Sequence, residues 1–226
     1  MPARLRIELE ALDFSVDGAS PSLFNEYTLR RGARVTSESF MPELRTYRRH
    51  EIPTELAWQI RSFVRVQWPF LDTPEHPLWN DRPSPDDSPL HFLVAEGDLL
   101  LSHVCVNRRT LEQRDESFDV YGLSTVFTFP AYRKAGHALR AVRAASDYIR
   151  TSQADLAMLF CGQPLRKFYA SAGWSAADKA RILFGDKLRP QLKNDNLVMM
   201  MFLSEKGRAA RNSFEKQDVY VGSSTW

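Results

Sequence analysis

The stretch Tyr132–Val142, "YRKAGHALRAV", places two cations and a glycine between an apolar segment and the start of a helical pattern. A strand that leads into a helix N-terminus presents unpaired backbone N–H groups and the positive end of the helix dipole. A glycine at that point lets the backbone approach a phosphate closely. The spacing Arg133-x-x-Gly136-x-Ala138, with Lys134 beside the arginine, is therefore compatible with pyrophosphate binding. It lacks the three glycines of a dinucleotide fingerprint and the Gly-Lys-Ser/Thr of a P-loop, so an ordinary basic connection stays open.

The elements around this turn are predicted from apolar spacing. Upstream, three apolar runs separated by tight turns predict antiparallel strands: "HFLVAE", "LLLSHVCVNRRTL" and "FDVYGLSTVFTF". Downstream, Leu139, Val142 and Ile149 keep helical spacing over residues 136–151. The next run, "DLAMLFC", is apolar throughout, as expected of a strand buried on both faces beside a parallel neighbour. A second helix, "PLRKFYASAG", and two further strands, "KARILFG" and "NLVMMMFL", complete the pattern.

One helix and a proline-rich loop precede these strands. A helix predicted over residues 54–68 carries on one face Leu56, Ile60, Phe63 and Val64. Residues 72–89 hold five prolines and are predicted to form a loop. The order helix, three antiparallel strands, helix, strand, helix, two strands predicts an α/β (α+β) mixed sheet with a strand–helix–strand crossover at its centre.

Composition places the chain among cytoplasmic, soluble globular proteins. It has 226 residues, and its net charge of +2 is too balanced to indicate nucleic-acid binding by bulk charge. Cys105 and Cys161 stand in apolar runs, which favours buried free thiols in a reducing compartment. The N-terminus has no apolar signal region, and the longest apolar run, Leu197–Leu203, is too short to cross a membrane.

A second motif lies one buried strand after the basic turn. The segment Leu165–Trp174, "LRKFYASAGW", has the pattern Tyr-x-x-x-Gly-Trp at the end of the second helix. Together the two segments resemble motifs A and B of the GNAT superfamily of acetyl-CoA-dependent N-acetyltransferases. The resemblance implies a GNAT-like fold: a mixed, mostly antiparallel central sheet with a splayed parallel strand pair, flanked by helices. It spans residues 46–204, which leaves 1–45 as an N-terminal extension and 205–226 as a C-terminal tail.

The resemblance implies which residues hold acetyl-CoA, the acyl donor. The pyrophosphate would bind the backbone N–H groups of six residues, helped by the two cationic side chains among them: Arg133, Lys134, Ala135, Gly136, His137 and Ala138. A solvated histidine at a helix start is the simpler interpretation of His137. The pantetheine arm would pair with Thr125, Val126 and Phe127, in a gap beside Leu156–Cys161. A β-bulge in this segment could aim a backbone N–H at the thioester oxygen.

The same resemblance implies direct attack by an amine, without a covalent intermediate or a metal. Tyr169 stands where the family places its general acid, which protonates the departing thiolate, with a core aromatic as the alternative. Many relatives carry a glutamate base on the fourth strand, but Ser124 lies nearest that position here. Asp119 is the only carboxylate of this strand and is predicted as the base, with Tyr121, His103 or a water chain as substitutes. An acceptor that arrives neutral would need no strong base.

Several other polar residues keep a structural alternative. His103 lies on an apolar strand and suits a hydrogen-bonded core histidine better than a base. The carboxylates of Asp81, Asp86 and Asp87 lie in the proline-rich loop, where they would attract a polycationic amine or form a solvated surface. The segment "DVYVGSSTW", which ends at Trp226, is expected to fray or pack on the surface rather than fold over a site.

The sequence thus predicts acetyl transfer to a primary amine of a small molecule. The two motifs look closest to those of aminoglycoside 2′-N-acetyltransferases, which points to an amino sugar, and more distantly to Nod-factor-type N-acyltransferases. Transfer of a longer acyl chain, acetylation of a protein or peptide, and acyl-CoA binding without turnover stay open. A homodimer is allowed by the sequence, whereas nucleic-acid and membrane partners are not expected.

Overall fold

The computed structural model describes residues 41–69, 89–193 and 197–223. They form ten strands: β1 Glu43–Arg48, β2 Leu90–Glu96, β3 Leu99–Gln113, β4 Glu116–Thr128, β5 Leu156–Cys161, β6 Ser175–Ala176, β7 Arg181–Phe184, β8 Gln191–Leu192, β9 Leu197–Phe202 and β10 Asp218–Tyr220. They also form five α-helices: α1 Thr54–Gln67, α2 His137–Arg150, α3 Arg166–Ala170, α4 Glu205–Ala209 and α5 Arg211–Lys216. The predictions for the first 40 residues, and for Asp81, Asp86, Asp87 and Trp226, lie outside the described residues.

Seven of these strands form one mixed sheet in the order β1-β2-β3-β4-β5-β9-β6. Neighbouring strands pair antiparallel, except that β4 and β5 are parallel. The predicted fold class, a mostly antiparallel sheet with one parallel pair and flanking helices, is confirmed. β4 and β5 pair only where Val120–Gly122 faces Leu156–Met158. Because β4 continues to Thr128 and β5 to Cys161, the two strands separate beyond this short ladder.

Helices α1 and α2 cover opposite faces of the sheet. Successive side chains of a strand point to opposite faces, so one strand serves both helices. Phe92 and Val94 of β2 belong to the core cluster that α2 buries. The alternate residues, Leu93 and Ala95, belong to the cluster that α1 buries. This layering decides which side chains of the neighbouring strand β3 face α1.

A long hairpin of β3 and β4 positions the strand that carries most of the predicted site. Its turn consists of two residues, Arg114 and Asp115, with φ of 52° and 62°. Positive φ at both positions is the backbone of a type I′ turn, whose twist matches that of the flanking strands. Gln113 pairs with Glu116 directly across the turn, so the register of β4 is set from this end.

Two strands differ from the predicted order. Arg181–Phe184, predicted as a strand of the central sheet, lies in a separate sheet between β10 and β8. Its burial explains this position: only Ile182 of the four residues is fully buried, whereas the central strand β5 is apolar at every position. Glu43–Arg48 spans the boundary predicted at residue 45 and pairs with β2 as an edge strand of the main sheet.

Residues 205–223 pack against the main sheet rather than fray. They form α4, α5 and β10, and the side chains of Phe214, Val219 and Val221 are buried. The ring of Phe214 packs edge-on against Phe118 of β4, with the ring centroids 5.1 Å apart. Of the two expectations for the segment from Asp218, fraying is wrong for residues 218–223, because the side chains of Val219 and Val221 are buried in a core cluster.

Candidate active site

The turn between β4 and α2 leaves the start of α2 uncapped. Gly136 is the N-cap residue with φ of 82°, and Lys134 also has a positive φ, 66°. Among the described residues no side chain accepts a hydrogen bond at this cap, and no acidic residue stands in the first turn. The first backbone bond of the helix runs from the Arg140 N–H to the Gly136 oxygen at 3.0 Å. The N–H groups of residues 137–139 therefore precede the first helical bond.

Open space and positive charge surround this helix start. A Cβ placed on Gly136 would meet no described atom within 4 Å. Arg133, Lys134 and Ala135 are exposed, and Arg133 Nε donates to the Thr128 oxygen at 3.1 Å, which ties that cation to the end of β4. Unpaired N–H groups, room beside a glycine and two exposed cations together fit a pyrophosphate.

The remaining two residues of the turn begin α2. His137 and Ala138 are half-buried at its first two positions. Burial, and then the cation of Arg140, lowers the pKa of His137. Since the ordinary pKa of histidine is already below 7, the imidazole of His137 is neutral at pH 7 and adds no fixed charge to the turn.

A β-bulge lies in β4 just before this turn. The register of β4 against β3 shifts between Ser124 and Phe127, so Thr125 and Val126 together face the single residue Val104. Thr125 has a φ of 44°, a left-handed backbone that is uncommon for a β-branched residue. A bulge leaves its extra residue outside the ladder and turns nearby backbone groups aside. The bulge expected in this segment is therefore present, on the part of β4 that has separated from β5.

Tyr169 lies in α3, which follows β5 after one short turn. The side chain is buried, and its ring packs edge-on against Phe168 with the ring centroids 4.9 Å apart. Burial, with a smaller contribution from Cys161, raises the pKa of Tyr169, so the phenol is protonated at neutral pH. Within the described ranges its hydroxyl forms no hydrogen bond. Because Cys161 is the last residue of β5, Tyr169 lies toward the end where β4 and β5 have separated.

Asp119 lies at the other end of the parallel pair. It immediately precedes Val120, the first residue of β4 that pairs with β5. Its carboxylate accepts two short hydrogen bonds from Arg108, Nε to Oδ1 at 2.8 Å and Nη2 to Oδ2 at 2.7 Å. The Asp119 backbone N–H donates to the Asp155 carboxylate at 3.0 Å. The structure thus places the bulge, the basic turn and Tyr169 at the open end of the pair, and Asp119 at the joined end.

A buried polar chain, which sequence reasoning missed, lies beside the bulge. His91 of β2 and His103 of β3 are 5% and 1% exposed. His103 Nδ1 lies 2.8 Å from the Thr125 oxygen, and His103 Nε2 lies 2.9 Å from His91 Nδ1. His91 Nε2 in turn lies 4.0 Å from the sulfur of Cys105. His103 is therefore a hydrogen-bonded core histidine, as expected, but its partner is the backbone of the predicted site.

Acid is expected to destabilise the protein through these two histidines. Burial lowers the pKa of His103 to about 4, and burial, then His103 and Arg49, lowers the pKa of His91 well below its usual value. Because the unfolded histidines titrate near their ordinary pKa, the unfolded chain binds more protons as the pH falls from about 6.5 toward 4. Stability that is fully present above that window is lost within it. For His103 alone, the loss between about pH 7.5 and pH 5 is about 2 kcal/mol.

Urea unfolding at several pH values measures this loss directly. The variant His103→Asn, which removes one of the two titrating groups, should flatten the pH dependence of the unfolding free energy. A wild-type unfolding free energy that is constant across the window would contradict the assignment of two neutral buried imidazoles.

The chain matches a known protein family over most of the main sheet. The family model for the acetyltransferase (GNAT) domain matches residues 43–177, which is more than half of the chain. The chain belongs to the GNAT acetyltransferases. The predicted enzyme class, an acyltransferase, and the predicted acyl donor, acetyl-CoA, are confirmed by this membership. No curated protein sequence gives a significant match.

Solved structures share the GNAT fold at low sequence identity. The GNAT family N-acetyltransferase YhbS from Escherichia coli, in complex with CoA, is 15% identical over 82% of this chain and 92% of its own, with a TM-score of 0.55. NAA60 of Arabidopsis thaliana, in complex with acetyl-CoA, is 12% identical over 71% and 99%, with a TM-score of 0.49. A probable N-acyltransferase from Enterococcus faecalis V583 is 16% identical over 59% of this chain, with a TM-score of 0.46. This GNAT chain spans 32% of the length of that last protein.

Two further predictions for this GNAT chain concern its cysteines and membrane-spanning segments. Cys105 and Cys161 are buried and form no disulfide bond, as predicted. In residues 41–69, 89–193 and 197–223, no helix is both long enough and apolar enough to cross a bilayer.

Proposed function

We propose that this GNAT chain transfers the acetyl group of acetyl-CoA to a primary amine of a small molecule by direct attack. The observation on which the proposal rests is the edge of β4 beyond Gly122, where the ladder with β5 has ended. The separated ends of β4 and β5, the bulge at Thr125 and the uncapped start of α2 follow one another along it. An extended thioester with an anionic pyrophosphate suits such an edge, because strand backbone and helix start offer N–H groups at its two ends.

The donor would be held by the residues that the motifs indicate. The backbone of Thr125, Val126 and Phe127 would pair with the pantetheine arm as an added strand. The pyrophosphate would lie against the turn from Arg133 to Ala138, whose exposed cations and unpaired N–H groups fit it. A backbone N–H at the bulge would stabilise negative charge on the acyl oxygen during attack.

Tyr169 would supply a proton to the leaving group. Acetyl-CoA supplies a reactive thioester carbon and a thiolate as leaving group. Tyr169 would protonate that sulfur as the carbon–sulfur bond breaks and the amine nitrogen bonds to the acyl carbon. The proton that the nitrogen loses passes to water, from which the phenol is protonated again. Burial raises the pKa of the phenol, so Tyr169 is protonated at neutral pH and would hold the proton that this step needs.

Asp119 stays the predicted base, but its contacts favour a structural role. Both carboxylate oxygens accept from Arg108, so taking a proton would require at least one of these bonds to break. We therefore expect Asp119→Asn to change kcat by less than about threefold and to lower the melting temperature, because it breaks an ion pair. Steady-state kinetics across pH measure this. A loss of about 100-fold in kcat that recovers at higher pH would instead establish Asp119 as the base.

The acceptor is proposed from the sequence motifs. Their likeness to aminoglycoside 2′-N-acetyltransferases makes a polycationic amino sugar the first candidate. A longer acyl donor is the second candidate, since Phe63 and Phe129 form an aromatic cluster with Phe127 at the bulge. The ring centroids of Phe63 and Phe127 are 4.1 Å apart, and those of Phe63 and Phe129 are 4.9 Å apart. An apolar surface of this kind would shelter an acyl chain.

Release of free CoA thiol over a panel of acceptors tests the proposed function. The panel contains an aminoglycoside, a polyamine, a simple alkylamine and a peptide with a free N-terminus, each with acetyl-CoA and with a longer acyl-CoA. We expect thiol release with acetyl-CoA that depends on at least one small amine and exceeds hydrolysis without acceptor. Thiol release with the peptide as the only active acceptor would mean that the acceptor is a protein or peptide rather than a small molecule. Thiol release only with the longer acyl-CoA would mean that the transferred group is a longer acyl chain rather than acetyl. Donor binding without release for any acceptor would favour an acyl-CoA sensor.

The cellular setting is proposed in the same way. Two buried cysteines that form no disulfide bond suit the reducing cytoplasm, where acetyl-CoA would be available. We propose a cytoplasmic enzyme without nucleic-acid or membrane partners, in which a homodimer is allowed. Light scattering of the purified chain gives its oligomeric state.

A further inference from the structure

We propose that His103, oriented by His91, is a positioning residue that fixes the Thr125 carbonyl and thereby the bulge at which the acyl group would bind. The inference rests on the proposed function. It concerns two buried side chains of β2 and β3, of which His103 contacts the backbone of β4.

The Thr125 carbonyl lies at the bulge and accepts a hydrogen bond from His103 in place of a hydrogen bond from the strand ladder. A bulge takes its extra residue out of the ladder, and a buried carbonyl without a partner is unfavourable by about 1–3 kcal/mol. His103 Nδ1, at 2.8 Å, is that partner. The φ of 44° at Thr125 is strained for a β-branched residue, so this conformation persists only where its surroundings hold it.

The donor–acceptor order along the chain fixes both imidazole rings. A carbonyl oxygen only accepts, so the proton of neutral His103 is on Nδ1 and its Nε2 carries a lone pair. That lone pair accepts from His91 Nδ1 at 2.9 Å, so His91 is also protonated on Nδ1. His91 Nε2 then faces the sulfur of Cys105 with a lone pair. The bond to the Thr125 carbonyl and the bond between the two rings thus assign one tautomer to each imidazole, and His91 keeps His103 aimed at Thr125.

Packing holds the other side of the bulge. The His103 ring lies 5.2 Å from the ring of Phe127, and Phe127 stacks on Phe63 of α1 with the ring planes 12° apart. Ser102 Oγ donates to the Phe127 oxygen at 2.7 Å. Side chains of β3 therefore hold the carbonyls on both sides of Val126, where ladder bonds are interrupted. The bulge is therefore held between β3 and α1.

Two buried imidazoles are an unusual way to fill this space. Burying polar rings is unfavourable unless their nitrogens are bonded, and a pair of leucines would fill a similar volume without that requirement. Unlike a leucine at the same position, His103 forms a directed hydrogen bond to the Thr125 carbonyl. A bond that fixes backbone next to a reacting group supports the rate, since a displacement of about 1 Å lowers it about 100-fold.

Three variants separate positioning from stability. His103→Leu removes the bond to Thr125. His103→Asn keeps an amide donor at the position of Nδ1. Gln113→Leu is the matched control, since Gln113 is also a buried polar side chain of β3, and it donates to two backbone carbonyls, those of Ser213 at 3.4 Å and Asp218 at 3.3 Å, far along the strand from the bulge.

We expect His103→Leu to lower kcat about 30-fold or more while the Kd for CoA rises no more than about fivefold, because the variant disturbs the pantetheine pairing at the bulge but not the pyrophosphate contacts at the turn before α2. His103→Asn should recover kcat to within about fivefold of the wild type, because it restores the donor. Gln113→Leu should lower the melting temperature as His103→Leu does and leave kcat unchanged. Equal kcat in His103→Leu and wild type, or an equal loss in Gln113→Leu, would overturn the positioning role.

A second readout does not depend on turnover. Imidazole ¹⁵N shifts of the wild type should show both histidines protonated on Nδ1, and amide hydrogen exchange at Thr125–Phe127 should accelerate about tenfold in His103→Leu but not in Gln113→Leu. The opposite tautomer, or unchanged exchange, would overturn the inference whatever the enzyme does. If the wild type releases no thiol with any amine while these two results hold, the proposed function fails and the structural half of the inference stands.

Discussion

Replacing Tyr169 by phenylalanine is expected to lower kcat about 100-fold and to leave acetyl-CoA binding within about twofold of the wild type. The change removes one hydroxyl from a buried ring and keeps the ring itself. That hydroxyl has no hydrogen-bond partner among the described residues, so its loss should not lower the melting temperature. Burial raises the pKa of the phenol, so the hydroxyl is protonated at neutral pH and holds the proton that the departing thiolate would take. Thiol-release kinetics and titration with acetyl-CoA measure the two effects.

Tyr220→Phe serves as the matched control for this variant. Tyr220 is half-buried in the smaller sheet, and its hydroxyl donates to the Gly185 oxygen at 2.6 Å. Its loss should lower the melting temperature and leave kcat unchanged, the reverse of the expected result at Tyr169. A Tyr169→Phe enzyme with full activity would remove Tyr169 as the acid.

Replacing Gly136 by aspartate is expected to weaken CoA binding about 100-fold, whereas asparagine should weaken it only a few-fold. Both side chains tolerate the left-handed backbone better than other residues, and both would enter the same open space at the start of α2. Only aspartate places a negative charge beside the pyrophosphate. Like charges about 5 Å apart at a protein surface repel by about 2–3 kcal/mol, which corresponds to about 100-fold in Kd.

The asparagine variant is the control for shape and strain. The ratio of the CoA dissociation constants of the two variants measures the effect of the negative charge alone, and their melting temperatures should agree within a few degrees. Added salt should bring the two dissociation constants closer together, because it screens the repulsion between aspartate and pyrophosphate. Equal affinities for CoA in the two variants would show that the pyrophosphate lies elsewhere.

The fold was predictable where a single pattern decides an element. The spacing of Leu139, Val142 and Ile149 predicted α2, and the unbroken apolar run of Leu156–Cys161 predicted a central parallel strand. The basic turn and the segment Leu165–Trp174 predicted the family, because each motif is a local arrangement of neighbouring residues. Such arrangements are visible in sequence without knowledge of register.

The histidine pair was not predictable, because its existence depends on a change of register. A second bulge, at Leu101 of β3, shifts the pairing between β2 and β3 by one residue. Without it, His91 and His103 would lie on opposite faces of the sheet, since one residue of shift moves every later side chain to the other face. Nothing in the run "LLLSHVCV" marks the position of that extra residue.

The distance of Asp119 from the rest of the predicted site was also not predictable, because it depends on where β4 and β5 separate. The sequence places Asp119 on the same strand as Thr125, but it does not show how far the ladder with β5 extends. The ladder ends at Gly122, so the two residues lie on opposite sides of the point of separation. The ion pair with Arg108 joins diagonal neighbours of the β3–β4 hairpin, since Asp119 pairs with Thr110 and Arg108 with Tyr121, and their closeness follows from the register set by the turn at residues 114–115.

Calorimetric titration of the purified chain with acetyl-CoA tests most directly whether this chain binds acetyl-CoA as its acyl donor. Every proposed step needs that donor at the edge formed by β4 and the start of α2. The expected result is one binding site per chain with a Kd of about 1–100 µM, competition by CoA, and no binding of NAD. Absence of binding up to about 1 mM acetyl-CoA, or equal affinity for NAD, would contradict it.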